Sequence, residues 1–253
     1  MGAITTGLTV DPYAWDKRVA AWEVVSATAA FRAMRDRICE LAEPSADDLV
    51  VDLGAGTGLL ALALAPRVAE VVAVDISEGM LDKLSEAAAR SGIDTIALVH
   101  ADLRRLPLED ESATLVVSNY AFHHLDDAGK ELALAEAWRI LRPGGRLVVC
   151  DMMFSLSLDK RDRRLILAKV WELAKRGPAG LLRIVRNVAR LVAGSWEQPA
   201  TAEVWEQMLL AQSFDDVRIE LFEHEGGIAV ARRPSLRSRV APARDLRVGA
   251  SGR

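Results

Sequence analysis

Four stretches of this chain carry residues whose types and spacing could do chemistry. The first is Asp52-Leu53-Gly54-Ala55-Gly56-Thr57-Gly58, an acid followed by glycines at alternate positions. Glycine has no Cβ, so such a turn tolerates φ > 0 and lets a ligand press against backbone. The second is Asp75, which closes the apolar run Val71-Val72-Ala73-Val74. An acid at the end of a second strand, about 20 residues past a glycine turn, can accept from both hydroxyls of a ribose. The third is Asp102-Leu103, and the fourth is Asn119-Tyr120-Ala121-Phe122-His123-His124. A histidine with a pKa of about 6.5 can take a proton from a hydroxyl or amine at neutral pH.

Elements alternating in type must position these groups. Val50 to Leu53 reads as a buried parallel strand, and Leu59 to Ala65 as the helix after the glycine turn, its N-terminus offering free N–H groups. Strands follow at Glu70–Asp75, Ile96–His100, Thr114–Asn119 and Leu147–Asp151. Ser77 is the expected N-cap of a helix to about Ser91, with Met80 on its inner face and Gly92 as its C-cap. Glu131–Leu141 is an expected helix, and Arg142-Pro143-Gly144-Gly145-Arg146 a turn. Thr201–Gln212 is a helix, then strands Arg218–Glu223 and Gly227–Ala231 flank a hairpin containing His224. Strand and helix in this alternation predict an α/β fold.

The glycines at 54, 56 and 58 do not fit the dinucleotide fingerprint, which would need glycine where Leu59 stands. An acid before the turn suits a ligand with an ammonium group. These residues, with Asp75 and Asp102 in register and the Arg142-Pro143-Gly144-Gly145 turn, resemble the class I S-adenosylmethionine-dependent methyltransferases. The resemblance is strong over residues 45–152 and weaker over 200–232. It implies a Rossmann-like, doubly wound seven-stranded sheet, mostly parallel, with an antiparallel last strand and a helical lid. It also implies S-adenosyl-L-methionine as cofactor, held by Asp52, Gly54, Ala55, Gly56, Gly58, Asp75, Ile76, Met80, Asp102, Leu103 and Asn119. Asp52 and the turn would take the amino acid end, Asp75 the ribose, Asp102 the adenine. The acceptor would meet Tyr13, Trp15 and Tyr120, with His123 or His124 as the catalytic group that orients or deprotonates it. No metal is expected. The reaction would be methyl transfer to O, N or C of a small molecule, with a quinone, a lipid or a natural-product-like ring among the candidates. Two alternatives stay open: a non-catalytic S-adenosylmethionine-binding partner protein, and a nicotinamide-dependent oxidoreductase. Leu59 and the lack of a Tyr-x-x-x-Lys relay speak against the second.

The 253 residues divide into five expected parts. Residues 1–43 form an N-terminal helical cover, with Trp15, Val19, Trp22, Val25, Ala29 and Met34 near helical spacing. Residues 44–152 are the cofactor-binding core, 153–199 a helical insertion serving as substrate lid, and 200–233 the rest of the core. Residues 234–253 are a basic tail expected to be disordered. The net charge of −4 hides seven Arg and one Asp in residues 232–253. Such a tail is usually a solvated end, and no nucleic-acid partner is expected. Residues 153–194 hold ten Lys/Arg against three acids. Basic amphipathic helices there would admit an acidic substrate, make peripheral membrane contact through 158–194, or be a solvated face. No apolar run reaches membrane-spanning length, and no secretory signal opens the chain. Cys39 and Cys150, far apart, fit a reducing, cytoplasmic setting.

Overall fold

The computed structural model describes residues 13–154, 198–222 and 225–235, with isolated positions between 164 and 185. Seven strands form one sheet in the order β3-β2-β1-β4-β5-β7-β6. They are β1 Leu49–Leu53, β2 Glu70–Asp75, β3 Ile96–His100, β4 Ala113–Asn119, β5 Leu141–Met152, β6 Asp215–Leu221 and β7 Gly226–Arg232. Strands β1 to β5 run parallel, and β7 lies antiparallel between β5 and β6. This is the expected Rossmann-like arrangement.

Alternate residues of the central strands feed two core layers, because strand side chains point to opposite faces in turn. Val51, Leu53, Val116, Leu147 and Val149 pack against α6 Asp127–Ile140 and α7 Ala202–Ala211, with Trp205 fully buried. Val50, Val71, Leu115 and Val117 pack against α3 Ala29–Ala42, α4 Ala61–Leu64 and, through Leu84, α5 Glu78–Arg90. The strand order reverses between β1 and β4, where open α/β sheets leave a crevice at the carboxyl ends of their strands. All the candidate cofactor residues cluster around that edge.

Several boundaries differ from the sequence reading. The single helical stripe of the cover is three helices, α1 Tyr13–Asp16, α2 Val19–Ser26 and α3. Breaks at Lys17-Arg18 and Ala27-Thr28 rotate the stripe, so Val25 is exposed while Met34 is buried. The helix after the glycine turn is only α4, because Pro66 tightens its end into a 3-10 turn at Ala65–Arg67. Helix α6 starts earlier than expected, where Asp126 accepts from Gly129 N at 2.8 Å as N-cap. Residues 142–145 form an irregularity inside β5 instead of a turn before it, since Ala113 pairs with Leu141 and Leu115 with Arg146. Strand β6 begins at Asp215, with a register shift before Arg218. Most of the proposed lid, the basic tail and His224 lie outside the described residues. Among the described residues no helix is long and apolar enough to cross a membrane.

Candidate functional site

Asp75 ends β2 and is nearly fully buried. Its Oδ2 accepts from Gly56 N at 2.8 Å and its Oδ1 from Ser77 N at 2.9 Å. Both oxygens are thereby aimed, and each keeps a lone pair for a ligand hydroxyl. Burial pushes its pKa up, and the backbone N–H groups of Ser77, Gly56 and Ile76 pull it back. Ile76 and Met80 line the cleft beside it, and Ser77 caps α5 by accepting from Met80 N.

The glycine turn forms the adjoining wall, bonded to the end of β2. Gly54 has φ +74° and Gly56 φ +54°. A methyl group built on Gly54 would stand 2.4 Å from Ala121 Cβ, so only glycine lets the turn meet the segment after β4. The N–H groups of the turn's glycines and of Ala55 are used internally. Gly54 N and Ala55 N both donate to Val74 O, at 2.8 and 2.9 Å, and Gly58 N donates to Ala55 O at 2.9 Å. The turn therefore supplies room more than donors. Ala55 and Gly58 do not line the cleft; Gly58 supports it from behind, facing Leu84.

Asp52 is also placed away from the cleft lining. Its carboxylate turns under the glycine turn and accepts from Ala61 N at 3.1 Å, where α4 begins. Burial raises its pKa to about 7, with the Ala61 N–H opposing and the charge of Asp75 adding to the rise. The folded value exceeds the unfolded one of about 3.9, so the folded chain holds the extra proton. Asp52 thus contributes stability at pH 4 that is lost as pH rises toward 7. Asp52→Asn should therefore gain on the wild type by about 1–3 kcal/mol between pH 4 and pH 8. Urea unfolding at the two pH values checks this, and an identical difference at both would mean Asp52 does not titrate there.

Asp102 and Leu103 line the cleft at its other end. The Asp102 carboxylate is gripped by Arg104, whose Nη2 lies 2.6 Å from Oδ2 and whose backbone N lies 2.9 Å from Oδ1. Asn119, at the end of β4, lines the cleft with its Oδ1 buried and without a partner among the described residues. An orphaned buried acceptor is costly unless a ligand donates to it.

Beyond Asn119 the walls become aromatic. Tyr120 holds φ +57°, unusual for a bulky residue, and its ring lies 5.3 Å from that of Phe31. Trp15 packs edge-on against His124 at 4.5 Å between ring centroids. Trp15, Tyr120, Ala121, His124 and Leu125 line the cleft here, and Trp22 lines it over Gly56. The whole cleft encloses about 750 Å³, part of it open to solvent. Tyr13 lies in α1, but its side chain is outside the described residues.

The two histidines have different places. His124 lines the cleft. Burial above all, then the neighbouring His123 and Arg18, holds its pKa well below the ordinary value, so it is neutral at pH 7. His123 sits behind it, rings 3.9 Å apart, with Nδ1 2.6 Å from Asp151 Oδ1. Asp151 Oδ2 also accepts from Phe122 N at 2.7 Å and His123 N at 3.1 Å.

Three residues here are missing from the sequence reading as site residues. Asp151 had a visible signal, an acid closing an apolar strand as Asp75 does. Asp16 joins the cover to the rim by accepting from Ser77 Oγ at 2.5 Å and Gly79 N at 3.2 Å. Trp22 was read only as packing, yet it lies over Gly56. Nothing local in the sequence marks either contact.

Residues 50–145 match the methyltransferase domain family. The chain is 41% identical over 108 residues to a demethylmenaquinone methyltransferase of Clavibacter sepedonicus, covering 43% of this chain and 42% of that protein. It is 46% identical over 100 residues to a malonyl-[acyl-carrier protein] O-methyltransferase of Methylococcus capsulatus, covering 39% and 35%. The chain thus spans under half the length of either relative. Its fold matches that of Haemonchus contortus phosphoethanolamine N-methyltransferase 2, solved in complex with S-adenosyl-L-methionine. The TM-score is 0.66 at 15% identity, over 87% of this chain and 57% of that one.

Proposed function

We propose that this chain, whose residues 50–145 match the methyltransferase domain family, is a class I S-adenosylmethionine-dependent methyltransferase that methylates an uncharged, flat, largely apolar small molecule. The observation that carries the acceptor class is the part of the lining left after the residues fitted to the donor: among the described residues Trp15, Tyr120, Ala121, His124 and Leu125 are aromatic and aliphatic, with no charged side chain. The three relatives above carry the names of three different acceptors, so their names do not select one.

The residues present fit the donor. Asp75 offers two aimed carboxylate oxygens to a diol, and Asn119 offers a buried acceptor that lacks a donor. Gly54 leaves space where a side chain would collide with Ala121. Ile76, Met80 and Leu103 give apolar surface for a purine between Asp75 and Asp102. When bound, S-adenosylmethionine supplies an electrophilic methyl carbon with its leaving group already good.

The protein's work is then placement. Trp15 and Trp22 cover the cleft and exclude water, while Tyr120 and Leu125 hold the acceptor plane. His124 faces the acceptor as a neutral imidazole; because burial disfavours its protonated form, its part is to orient the acceptor rather than to carry its proton away. His123, held by Asp151, keeps the ring of His124 from turning inward.

The test uses donor labelled in its methyl group, purified protein and host-cell extract, followed by organic–aqueous partition. Label should enter the organic layer. Label confined to the aqueous layer would overturn the apolar acceptor. Donor binding without transfer to any fraction would favour a non-catalytic binding protein.

A further inference from the structure

We infer that Trp22 and Asn119 together recognise the zwitterionic end of the donor: the Trp22 indole N–H takes the carboxylate and Asn119 Oδ1 takes the ammonium. This rests on the donor reading above and reassigns the part given to Asp52 and the turn.

The backbone N–H groups of Gly54, Ala55, Gly56 and Gly58 are all spent on Val74 O, Asp75 and Ala55 O. Helix α4, with four residues, is too short to offer an anion site at its end. Asp52 is bonded to Ala61 N beneath the turn and does not reach the cleft. Among the described residues no Lys or Arg lines the cleft. A ligand carboxylate therefore meets only neutral donors among the described lining side chains, and the two lining carboxylates, Asp75 and Asp102, are already engaged by backbone N–H groups and Arg104.

Two neutral side chains face the space over the turn. Trp22 Nε1 stands 3.0 Å from where a Cβ of Gly56 would be, above the middle glycine. Its ring is steadied by Phe31, edge-on at 5.4 Å and 84°. Indole is a donor only, so it selects the carboxylate. Asn119 Oδ1, buried at the end of β4 and without a partner, is an acceptor and selects the ammonium. The two come from opposite walls, α2 and β4, so the amino acid end would be bracketed between cover and core.

Calorimetry with three probes separates this from packing. S-adenosylhomocysteine carries both groups, its decarboxylated analogue keeps the amine, and 5′-methylthioadenosine lacks the amino acid end. Trp22→Phe should weaken S-adenosylhomocysteine about tenfold, the loss of one hydrogen bond to a charged group. It should leave the amine and 5′-methylthioadenosine unchanged, which also reports that the variant is folded. Asn119→Ala should weaken the two amine-bearing ligands and spare 5′-methylthioadenosine. Equal weakening of all three probes by Trp22→Phe would overturn the inference and leave the indole as packing. If the wild type binds none of them, the donor reading itself fails, a result distinct from the first.

Discussion

Asp75→Ala should weaken S-adenosylhomocysteine binding by about 2.7 kcal/mol, roughly 100-fold. The change removes both ligand-facing carboxylate oxygens at once, and charge-assisted hydrogen bonds are the strong ones. It also frees Gly56 N and Ser77 N, which Asp75 now holds at 2.8 and 2.9 Å. The glycine turn would then lose its tether to β2, so part of the loss comes from a wall out of place. Asp75→Asn separates the two contributions, since the amide still accepts through one oxygen. An intermediate affinity is expected for it. An unchanged dissociation constant for Asp75→Ala would mean that the ribose does not lie there.

Asp151→Ala should have the largest effect on stability, about 3–5 kcal/mol, because it strands buried donors. The carboxylate accepts from Phe122 N, His123 N, His123 Nδ1 and Met152 N, all within 3.1 Å. It is buried at the carboxyl end of β5, where water cannot replace it. The loss should appear as a lower urea midpoint with an unchanged slope. Where the variant remains folded, transfer should fall more than donor binding. The 3-10 turn Phe122–His124 carries His124, while the residues fitted to the donor sit on β2, β4, α2, α5 and the loops after β1, β2 and β3. A cost below about 1 kcal/mol would mean these four bonds are not made in solution.

Much of this protein follows from local pattern. The apolar runs of β1, β2 and β4, the glycines after β1 and the Ser77 cap are each written within a few residues. Acids that end buried strands fall at the carboxyl edge of a parallel sheet because the topology offers them nowhere else. Asp75 follows from that rule, whereas the resemblance to a family is what implied Asp102 and Asn119, which line the same cleft. The extent of α6 and the irregularity inside β5 were harder, since caps and pairing register depend on neighbours.

What only the tertiary structure decided is which way side chains turn. Asp52 and Asp75 are both strand-end acids beside the same turn, yet one is bonded to Ala61 N beneath the turn and the other lines the cleft. His123 and His124 are adjacent in sequence, and the contact with Asp151 on β5 sends the first inward and leaves the second in the cleft. Trp22 reaches Gly56 only because α2 folds back over the sheet edge. The physical reason is common to all three. A residue's type and its place along an element come from short-range sequence, whereas its rotamer and its hydrogen-bond partner are chosen by groups brought near from distant parts of the chain.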